Sequence, residues 1–122
     1  MDLKLAGKRA LVTGSSSGIG RGIATVLGQE GAIVVVHGRN RERCEETANA
    51  IRAGGGTAHI ASGDLASDGG ASQVVKAALD RAGGIDILVN NIGGTEATGG
   101  GMHDWFDVTP EQWAGGMQQN LI

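Results

Sequence analysis

The sequence contains no tyrosine and few aromatic residues of any kind, which narrows the chemistry open to it. Its 122 residues include two tryptophans and one phenylalanine. Without a tyrosine, no phenol can act as a general acid or base. Proline and cysteine occur once each, which excludes a collagen-like chain and an intrachain disulfide. A lone cysteine, Cys44, favours a cytoplasmic protein.

The sequence also lacks an excess of positive charge and any long apolar run. The formal net charge is −3, which gives no electrostatic basis for binding nucleic acid or an anionic membrane. No apolar stretch approaches the roughly 18 residues of a membrane-spanning helix. With 40% apolar and 19% charged residues, the composition predicts a globular protein, with one domain across residues 1–122.

Glycine is abundant, with 23 residues, many of which stand where apolar segments end. Short apolar or β-branched runs predict strands at residues 9–13, 33–37, 57–62 and 85–90. Helical spacing and capping residues predict a helix at residues 18–29 and three others, which follow Asn40, Ser67 or Asp68, and Thr109. The order βαβαβαβα predicts an α/β fold with a parallel sheet and right-handed crossovers.

Apolar residues at helical spacing predict which side of each helix faces the core. The predicted inward-facing residues are Ile19, Ile23, Val26 and Leu27 in the first helix, Cys44, Ala48 and Ile51 in the second, and Val74, Val75, Ala78, Leu79 and Ala82 in the third.

The segment TGSSSGIG, residues 13–20 and here named the glycine turn, joins the first predicted strand to the first helix. Gly14, Gly18 and Gly20 allow a sharp turn and a close approach of the backbone to a ligand. The helix N-terminus behind them offers N–H groups and the positive end of a dipole, which favours a phosphate or pyrophosphate. An ordinary glycine-rich connection is the alternative. A nucleophile elbow and a P-loop are disfavoured, because neither pattern occurs in the sequence.

The glycine turn resembles the Thr-Gly-x-x-x-Gly-x-Gly signature of the short-chain dehydrogenase/reductase family, which is met by Thr13, Gly14, Gly18, Ile19 and Gly20. The resemblance covers residues 3–122. It implies a Rossmann-like, doubly wound parallel sheet, here with four strands in the order 3-2-1-4. It also implies an NAD(P)-dependent oxidoreductase that moves a hydride between nicotinamide and a small carbonyl or alcohol substrate.

The resemblance assigns residues to cofactor binding. The predicted set is Thr13, Gly14, Ser15, Ser16, Ser17, Gly18, Ile19, Gly20, Gly38, Arg39, Asn40, Asp64, Leu65, Asn90, Asn91, Ile92 and Gly93. In the family pattern the Asp64 carboxylate accepts from the adenine amino group and Leu65 packs on the ring, although an Asp at this place can also be a turn residue. Asn90 would brace the strand ends. Ile92 departs from the family's usual alanine and would shift the pocket wall.

Two residues after the second strand bear on which cofactor binds. Gly38 stands where NAD-dependent members usually carry Asp, and Arg39 follows it. A guanidinium can donate two hydrogen bonds to the 2′-phosphate of NADP, whereas its interaction with the 2′-hydroxyl of NAD is weaker. We therefore predict NADP(H) over NAD(H). Two observations oppose this. Many NADP-preferring members carry a second basic residue in the glycine turn, where this chain has serines, and Arg39 can instead be a solvated cation at a helix start.

Most of the family's catalytic group has no counterpart here. Asn120 matches the family's catalytic Asn, but the Tyr-x-x-x-Lys pair is missing, and the lysines stand at positions 4, 8 and 76. We therefore expect the chain to hold about the first half of such a protein, and to bind the adenosine-diphosphate end of the cofactor without turnover. The alternative is a non-catalytic nucleotide-binding or assembly module. An NADPH oxidation assay with a panel of ketones separates the two.

Two further expectations concern partners and metals. The predicted fourth strand is interior in the family's strand order, whereas here its apolar sequence would lie at an open edge, which favours a homo-oligomer. His37, His59 and His103 show no metal-ligand spacing, so we predict ordinary histidines and no metal site.

Overall fold

The computed structural model describes residues 2–91, which form seven elements in the order βαβαβαβ. The strands are β1 (Arg9–Val12), β2 (Ile33–Gly38), β3 (Thr57–Ser62) and β4 (Ile87–Val89), and the helices are α1 (Gly18–Gln29), α2 (Arg41–Ala53) and α3 (Asp68–Ala82). They correspond to the first seven predicted elements, although β4 is shorter than predicted. The helix predicted after Thr109 lies outside the described residues, and the prediction of one domain across residues 1–122 stays a prediction.

The four strands form one parallel sheet in the order β3-β2-β1-β4, which confirms the predicted fold. Within it, Ala10 of β1 pairs with Val34 of β2 on one side and with Ile87 of β4 on the other. Because the strands are parallel, their carboxyl ends share one edge of the sheet. The loops that follow β1, β2 and β3 therefore come together at that edge with residues 90–91, which follow β4.

Helices cover both faces of the sheet. Val34 and Val36 of β2 pack with α1 and α2, while Val35 between them packs with α3 on the opposite face. Successive side chains of a strand point to opposite faces, so a continuous β-branched run suits a strand that is buried on both. This explains why the apolar run at residues 33–37 predicts the second strand correctly.

The packing face of α1 differs from the prediction. Ile19 and Val26 are 78% and 54% exposed. The buried residues of this helix are Gly20, Ala24 and Gly28. The other two predicted residues, Ile23 and Leu27, do pack at the margin of the core. Small residues at four-residue spacing form the inward stripe because they let the helix backbone come close to its neighbours.

The close approach is visible between α1 and α2. A Cβ added to Gly28 would lie 2.6 Å from Cγ2 of Ile51. In α2, the predicted residues Cys44, Ala48 and Ile51 are buried, together with Thr47.

In α3, Val74 and Ala78 are buried as predicted, but the prediction was wrong for Val75 and Leu79, which are exposed.

Two predicted helix caps are present. Asn40 Oδ1 accepts a hydrogen bond from the Arg43 backbone N–H at 3.2 Å, and Ser67 Oγ accepts one from Gly70 N–H at 3.0 Å. Ser67, rather than Asp68, therefore caps α3. None of the helices among residues 2–91 has the length and apolar character needed to cross a membrane.

Candidate functional site

The glycine turn follows β1 at the carboxyl edge of the sheet. Gly14 and Gly18 have φ values of +63° and +57°, a conformation that favours glycine. Among residues 2–91, a Cβ placed on Gly18 would meet no atom within 4 Å outside its own helix turn, so these residues leave the surface above it open. The turn thus presents backbone, without a side chain, toward solvent at Gly18.

The start of α1 lacks a side-chain cap. Ser17 occupies the N-cap position in an extended conformation, and its hydroxyl makes no cap hydrogen bond within the described residues. The first turn of α1 also contains no acidic residue that would compete for its amide groups. Because the first N–H groups of a helix have no partners within the helix, this end can bind an anion.

Gly20 holds the helix close to the turn and to β4. A Cβ at this position would collide with the Gly14 carbonyl oxygen and would lie 2.5 Å from Nδ2 of Asn91. The third glycine of the signature is therefore required for packing, whereas Gly18 is required for its backbone conformation.

Thr13 and Asn91 connect the ends of β1 and β4. Thr13 Oγ1 donates to the Val89 carbonyl at 3.2 Å and accepts from the Asn91 N–H at 2.9 Å. Asn91 Nδ2 donates to the Gly14 carbonyl at 3.3 Å. Among residues 2–91, Asn91 therefore makes the bracing contacts that the family pattern assigns to Asn90. Asn90 is exposed.

The first serine of the glycine turn faces the protein interior. Ser15 is fully buried, and its Oγ donates to the Val12 carbonyl at 2.7 Å and accepts from the His37 N–H at 2.9 Å. Its side chain supports the turn from within. Ser16 is partly exposed and Ser17 is exposed, so their hydroxyls are the ones that can reach a ligand.

The end of β2 leaves no space for a side chain at Gly38. A Cβ there would lie 2.7 Å from Ser16 Oγ and 3.0 Å from Cys44 Sγ. A carboxylate at this position would require Ser16 to move. The next two residues, Arg39 and Asn40, are exposed.

His37, for which the sequence predicts no special role, connects two loops of the candidate site. Its side chain is fully buried, Nδ1 lies 3.0 Å from the Gly14 N–H nitrogen, and Nε2 lies 2.9 Å from the Gly63 carbonyl oxygen. These partners require a neutral ring that accepts at Nδ1 and donates from Nε2. Burial lowers the pKa of His37, and the Gly63 carbonyl and the Asp64 carboxylate act in the opposite direction. The sequence does contain one indication of this role, because His37 is a polar residue directly after the continuous apolar run of residues 33–36.

The loop after β3 carries Asp64 and Leu65. Asp64 is exposed, and its Oδ1 accepts a hydrogen bond from the Ala66 N–H at 2.9 Å, as in the turn-residue alternative. Leu65 packs against the apolar cluster beneath α3. The Gly63 N–H donates to the Gly38 carbonyl at 3.2 Å, which joins this loop to the end of β2.

Residues 2–91 thus gather the predicted residues of the glycine turn, of positions 38–40 and 64–65, and of positions 90–91 along one sheet edge. Ile92, Gly93 and Asn120 lie outside the described residues. The part of the chain that the structure describes contains no group of His, Cys, Asp and Glu able to hold a metal ion. A separate open groove on α3, lined by Val75, Leu79 and four neighbours, shares no residue with this edge.

Comparisons with known proteins agree with this architecture. The family model for short chain dehydrogenases matches residues 8–122. An uncharacterised oxidoreductase of Bacillus subtilis is 40% identical over 122 residues, which are 100% of this chain and 44% of that protein. A short-chain alcohol dehydrogenase structure from Sinorhizobium meliloti, described as putative, has a TM-score of 0.81 and 38% identity over 95% of this chain and 44% of that one.

A third relative was solved with a cofactor. The gluconate 5-dehydrogenase of Burkholderia cenocepacia, in complex with NADP and tartrate, has a TM-score of 0.80 and 35% identity, and the match covers 96% of this chain and 44% of that chain. The chain therefore spans less than half the length of these relatives. On the match of residues 8–122 and the shared 3-2-1-4 sheet, the chain belongs to the short-chain dehydrogenase family of oxidoreductases.

Proposed function

We propose that this chain provides the cofactor-binding part of an NADP(H)-dependent oxidoreductase and binds the adenosine-diphosphate end of the cofactor at the carboxyl edge of its sheet. The observation that carries the proposal is the glycine turn, with one left-handed glycine before α1, a second at its first residue, and no side-chain cap on that helix. Such an arrangement suits a pyrophosphate, because it brings N–H groups and a helix dipole to a surface without obstructing side chains.

The residues present fit the parts of the nucleotide. The pyrophosphate would lie over Gly18 and the start of α1, where a Cβ added to Gly18 meets no other part of the described residues. The exposed Asp64 carboxylate stands at the loop that would receive the adenine amino group, and Leu65 fixes that loop to the core.

Two observations at the end of β2 support NADP(H) over NAD(H). Gly38 has no space for the carboxylate that would bind the ribose hydroxyls of NAD, since Ser16 Oγ occupies it. Arg39 is exposed directly beyond, and a guanidinium forms charge-assisted hydrogen bonds with a phosphate. The NADP complex of the Burkholderia relative is consistent with this preference. Ser16 and Ser17 can add hydroxyl donors in the place of a second basic residue.

The reaction we propose for the whole protein is hydride transfer between the nicotinamide ring, which supplies or receives the hydride when bound, and a carbonyl or alcohol substrate. The residues of this chain would bind and orient the nucleotide. Asn120, which matches the family's catalytic position, is its proposed contribution to the catalytic group. A cytoplasmic location and a homo-oligomeric state remain proposals from the sequence.

The test is a comparison of nucleotide affinities by isothermal titration calorimetry with the purified chain. We expect NADP⁺ and 2′,5′-ADP to bind more tightly than NAD⁺ and 5′-ADP. Arg39→Ala should weaken NADP⁺ binding by roughly 10- to 100-fold, because a hydrogen bond to a charged group contributes about 1.5–3 kcal/mol. The same variant should leave NAD⁺ affinity nearly unchanged.

Arg43→Ala is the matched control, since Arg43 is another exposed arginine two residues inside the start of α2. It should bind both nucleotides as the unmodified chain does. Tighter binding of NAD⁺ than of NADP⁺ would overturn the cofactor preference. Failure of a folded chain to bind any of the four nucleotides would overturn the proposed function itself.

A further inference from the structure

One buried imidazole connects the three loops that carry the proposed nucleotide site. His37 accepts from the Gly14 N–H in the glycine turn and donates to the Gly63 carbonyl in the loop after β3. Its own backbone N–H and carbonyl bond to Ser15, through the Oγ at 2.9 Å and the N–H at 2.8 Å. It also directly precedes Gly38 at the end of β2. No other residue among positions 2–91 makes hydrogen bonds to both loops.

The Nδ1 contact bears directly on the phosphate-binding surface. Gly14 is the second residue of the glycine turn and has a positive φ. Its N–H donates to the His37 ring, so the ring fixes the orientation of the Thr13–Gly14 peptide group. Gly14 in turn receives the Asn91 side chain at its carbonyl, and a Cβ on Gly20 would collide with that carbonyl. A shift of Gly14 would therefore be transmitted to the start of α1.

We propose that His37 is a positioning residue of the nucleotide site, and that its neutral ring, with Nδ1 as acceptor and Nε2–H as donor, holds the glycine turn in its phosphate-binding conformation. The inference rests on the proposed cofactor site and adds to it a residue that does not touch the ligand. It assigns the ring a defined tautomer and gives nucleotide binding a dependence on pH.

The dependence on pH follows from the geometry of the ring. Protonation would place a second ring N–H at Nδ1 against the Gly14 N–H, so the cation cannot keep this contact. The charged group that acts on the ring is the Asp64 carboxylate, from the loop after β3. The glycine turn contributes hydroxyls and amides. Burial keeps the pKa of His37 below its ordinary value of 6.5, so the neutral ring predominates at neutral pH and is lost in acid.

Two substitutions separate the two ring contacts. Asn places an amide oxygen near the Nδ1 position, and Gln places an amide nitrogen near the Nε2 position. If the Gly14 contact orients the turn, His37→Asn should bind NADP⁺ within about threefold of the unmodified chain at pH 8. His37→Gln should bind on the order of tenfold more weakly, because it leaves a buried N–H without its acceptor.

The pH profile is the second readout, and NADP⁺ is used because it withstands acid. The 2′-phosphate itself titrates near pH 6, so every protein will show some loss of affinity below that value. The unmodified chain should show an additional loss below pH 6.5, which His37→Asn lacks. His59→Asn is the control. His59 lies in β3 and is half-buried, and this variant should keep the profile of the unmodified chain.

A ring measurement is independent of binding. Long-range ¹H–¹⁵N NMR spectra at pH 7.5, assigned by the signals missing in His37→Asn, should show protonated Nε2 and unprotonated Nδ1. A ring protonated at Nδ1, or superimposable pH profiles for the unmodified chain and His37→Asn, would overturn the role of His37 while leaving the cofactor proposal intact. If neither the unmodified chain nor any variant binds NADP⁺ at pH 8, the cofactor proposal fails, and the positioning role of His37 fails with it.

Discussion

At the scale of single residues, neighbouring glycines of α1 do different things. Gly18 provides a left-handed backbone and an open surface, and Gly20 provides a close contact with Gly14 and Asn91. Gly22 has neither role among residues 2–91, because a Cβ there would meet no atom within 4 Å outside its own helix turn and its φ is ordinary. The family signature names the first two, but it does not say which physical constraint each one meets.

Gly20→Ala and Gly22→Ala should have opposite effects on stability. The first forces a methyl group into a packed contact, which typically costs about 1–3 kcal/mol, and it should also weaken NADP⁺ binding by displacing the start of α1. The second removes backbone freedom from an exposed helix position and should stabilise the chain by about 0.5–1 kcal/mol. Urea denaturation of both variants measures the difference. Equal midpoints would show that the contact at Gly20 is relaxed in solution.

At the scale of elements, the first and last described strands are joined at their amino ends by a pair of side chains. Arg9 Nε and Nη2 donate to the two oxygens of Asp86 at 2.9 and 3.0 Å, and Nη1 donates to the Gly83 carbonyl at 2.9 Å. The backbones of the same two residues also bond, with Asp86 N–H donating to the Arg9 carbonyl at 2.7 Å. The pair fixes the register in which β4 joins β1.

Asp86→Asn should lower the urea midpoint near neutral pH but not in strong acid. Hydrogen bonds from the Arg9 side chain and backbone hold the pKa of Asp86 well below its ordinary value. A lowered pKa in the folded state stabilises the fold above the unfolded value of about 4, and this contribution is lost as the pH falls below it. Midpoints for both proteins between pH 7 and pH 2 should therefore converge in acid.

Asp80→Asn serves as the control for this experiment, because Asp80 is an exposed aspartate of α3. Its midpoint should follow that of the unmodified chain over the whole range. A constant difference between the unmodified chain and Asp86→Asn down to pH 2 would mean that the ion pair contributes nothing through its charge.

Element positions were predictable from sequence, whereas the packing face of α1 was not. The run at residues 33–37 predicted β2 because a strand buried on both faces needs a continuous series of β-branched residues, and the prediction of a strand at residues 57–62 agrees with β3. Periodicity failed in α1 because it weights large apolar residues. The helix packs on its neighbours through Ala24, Gly20 and Gly28, which carry little hydrophobic signal, and Ile19 is left exposed.

At the scale of the whole molecule, the described sheet ends at β4. Leu88 is 54% exposed, between the partly buried Ile87 and Val89. Val75 and Leu79 of α3 expose further apolar surface. An edge strand with an exposed apolar residue offers hydrogen-bonding groups to a further strand, so self-association remains our prediction for this chain.

Leu88→Lys should weaken that self-association, because a charge on an edge strand opposes pairing with a second copy. Sedimentation velocity over a range of concentrations measures the effect. Leu3→Lys is the control, since Leu3 is 48% exposed and precedes β1. An unmodified chain that stays monomeric at every concentration contradicts the prediction, as does a Leu88→Lys variant that associates as strongly as the Leu3→Lys variant.

The family pattern predicted the residues that meet at this sheet edge, but not the hydrogen bonds between them. The pattern placed the glycine turn, Arg39 and Asp64 at one sheet edge, as the structure finds. It did not identify His37, and it assigned to Asn90 a bracing contact that Asn91 makes. Spacing motifs record which residues face a ligand, whereas hydrogen bonds between loops depend on the register of strands that are distant in sequence.

The Arg9–Asp86 pair and the glycine turn lie at opposite ends of the same short strand. β1 has four residues, which places roughly 13 Å between its two ends. Substitutions that far apart without shared partners usually have additive effects. Substitutions at the amino edge that strengthen the contact between β1 and β4 should therefore raise the free energy of unfolding. They should leave ligand affinity at the carboxyl edge unchanged.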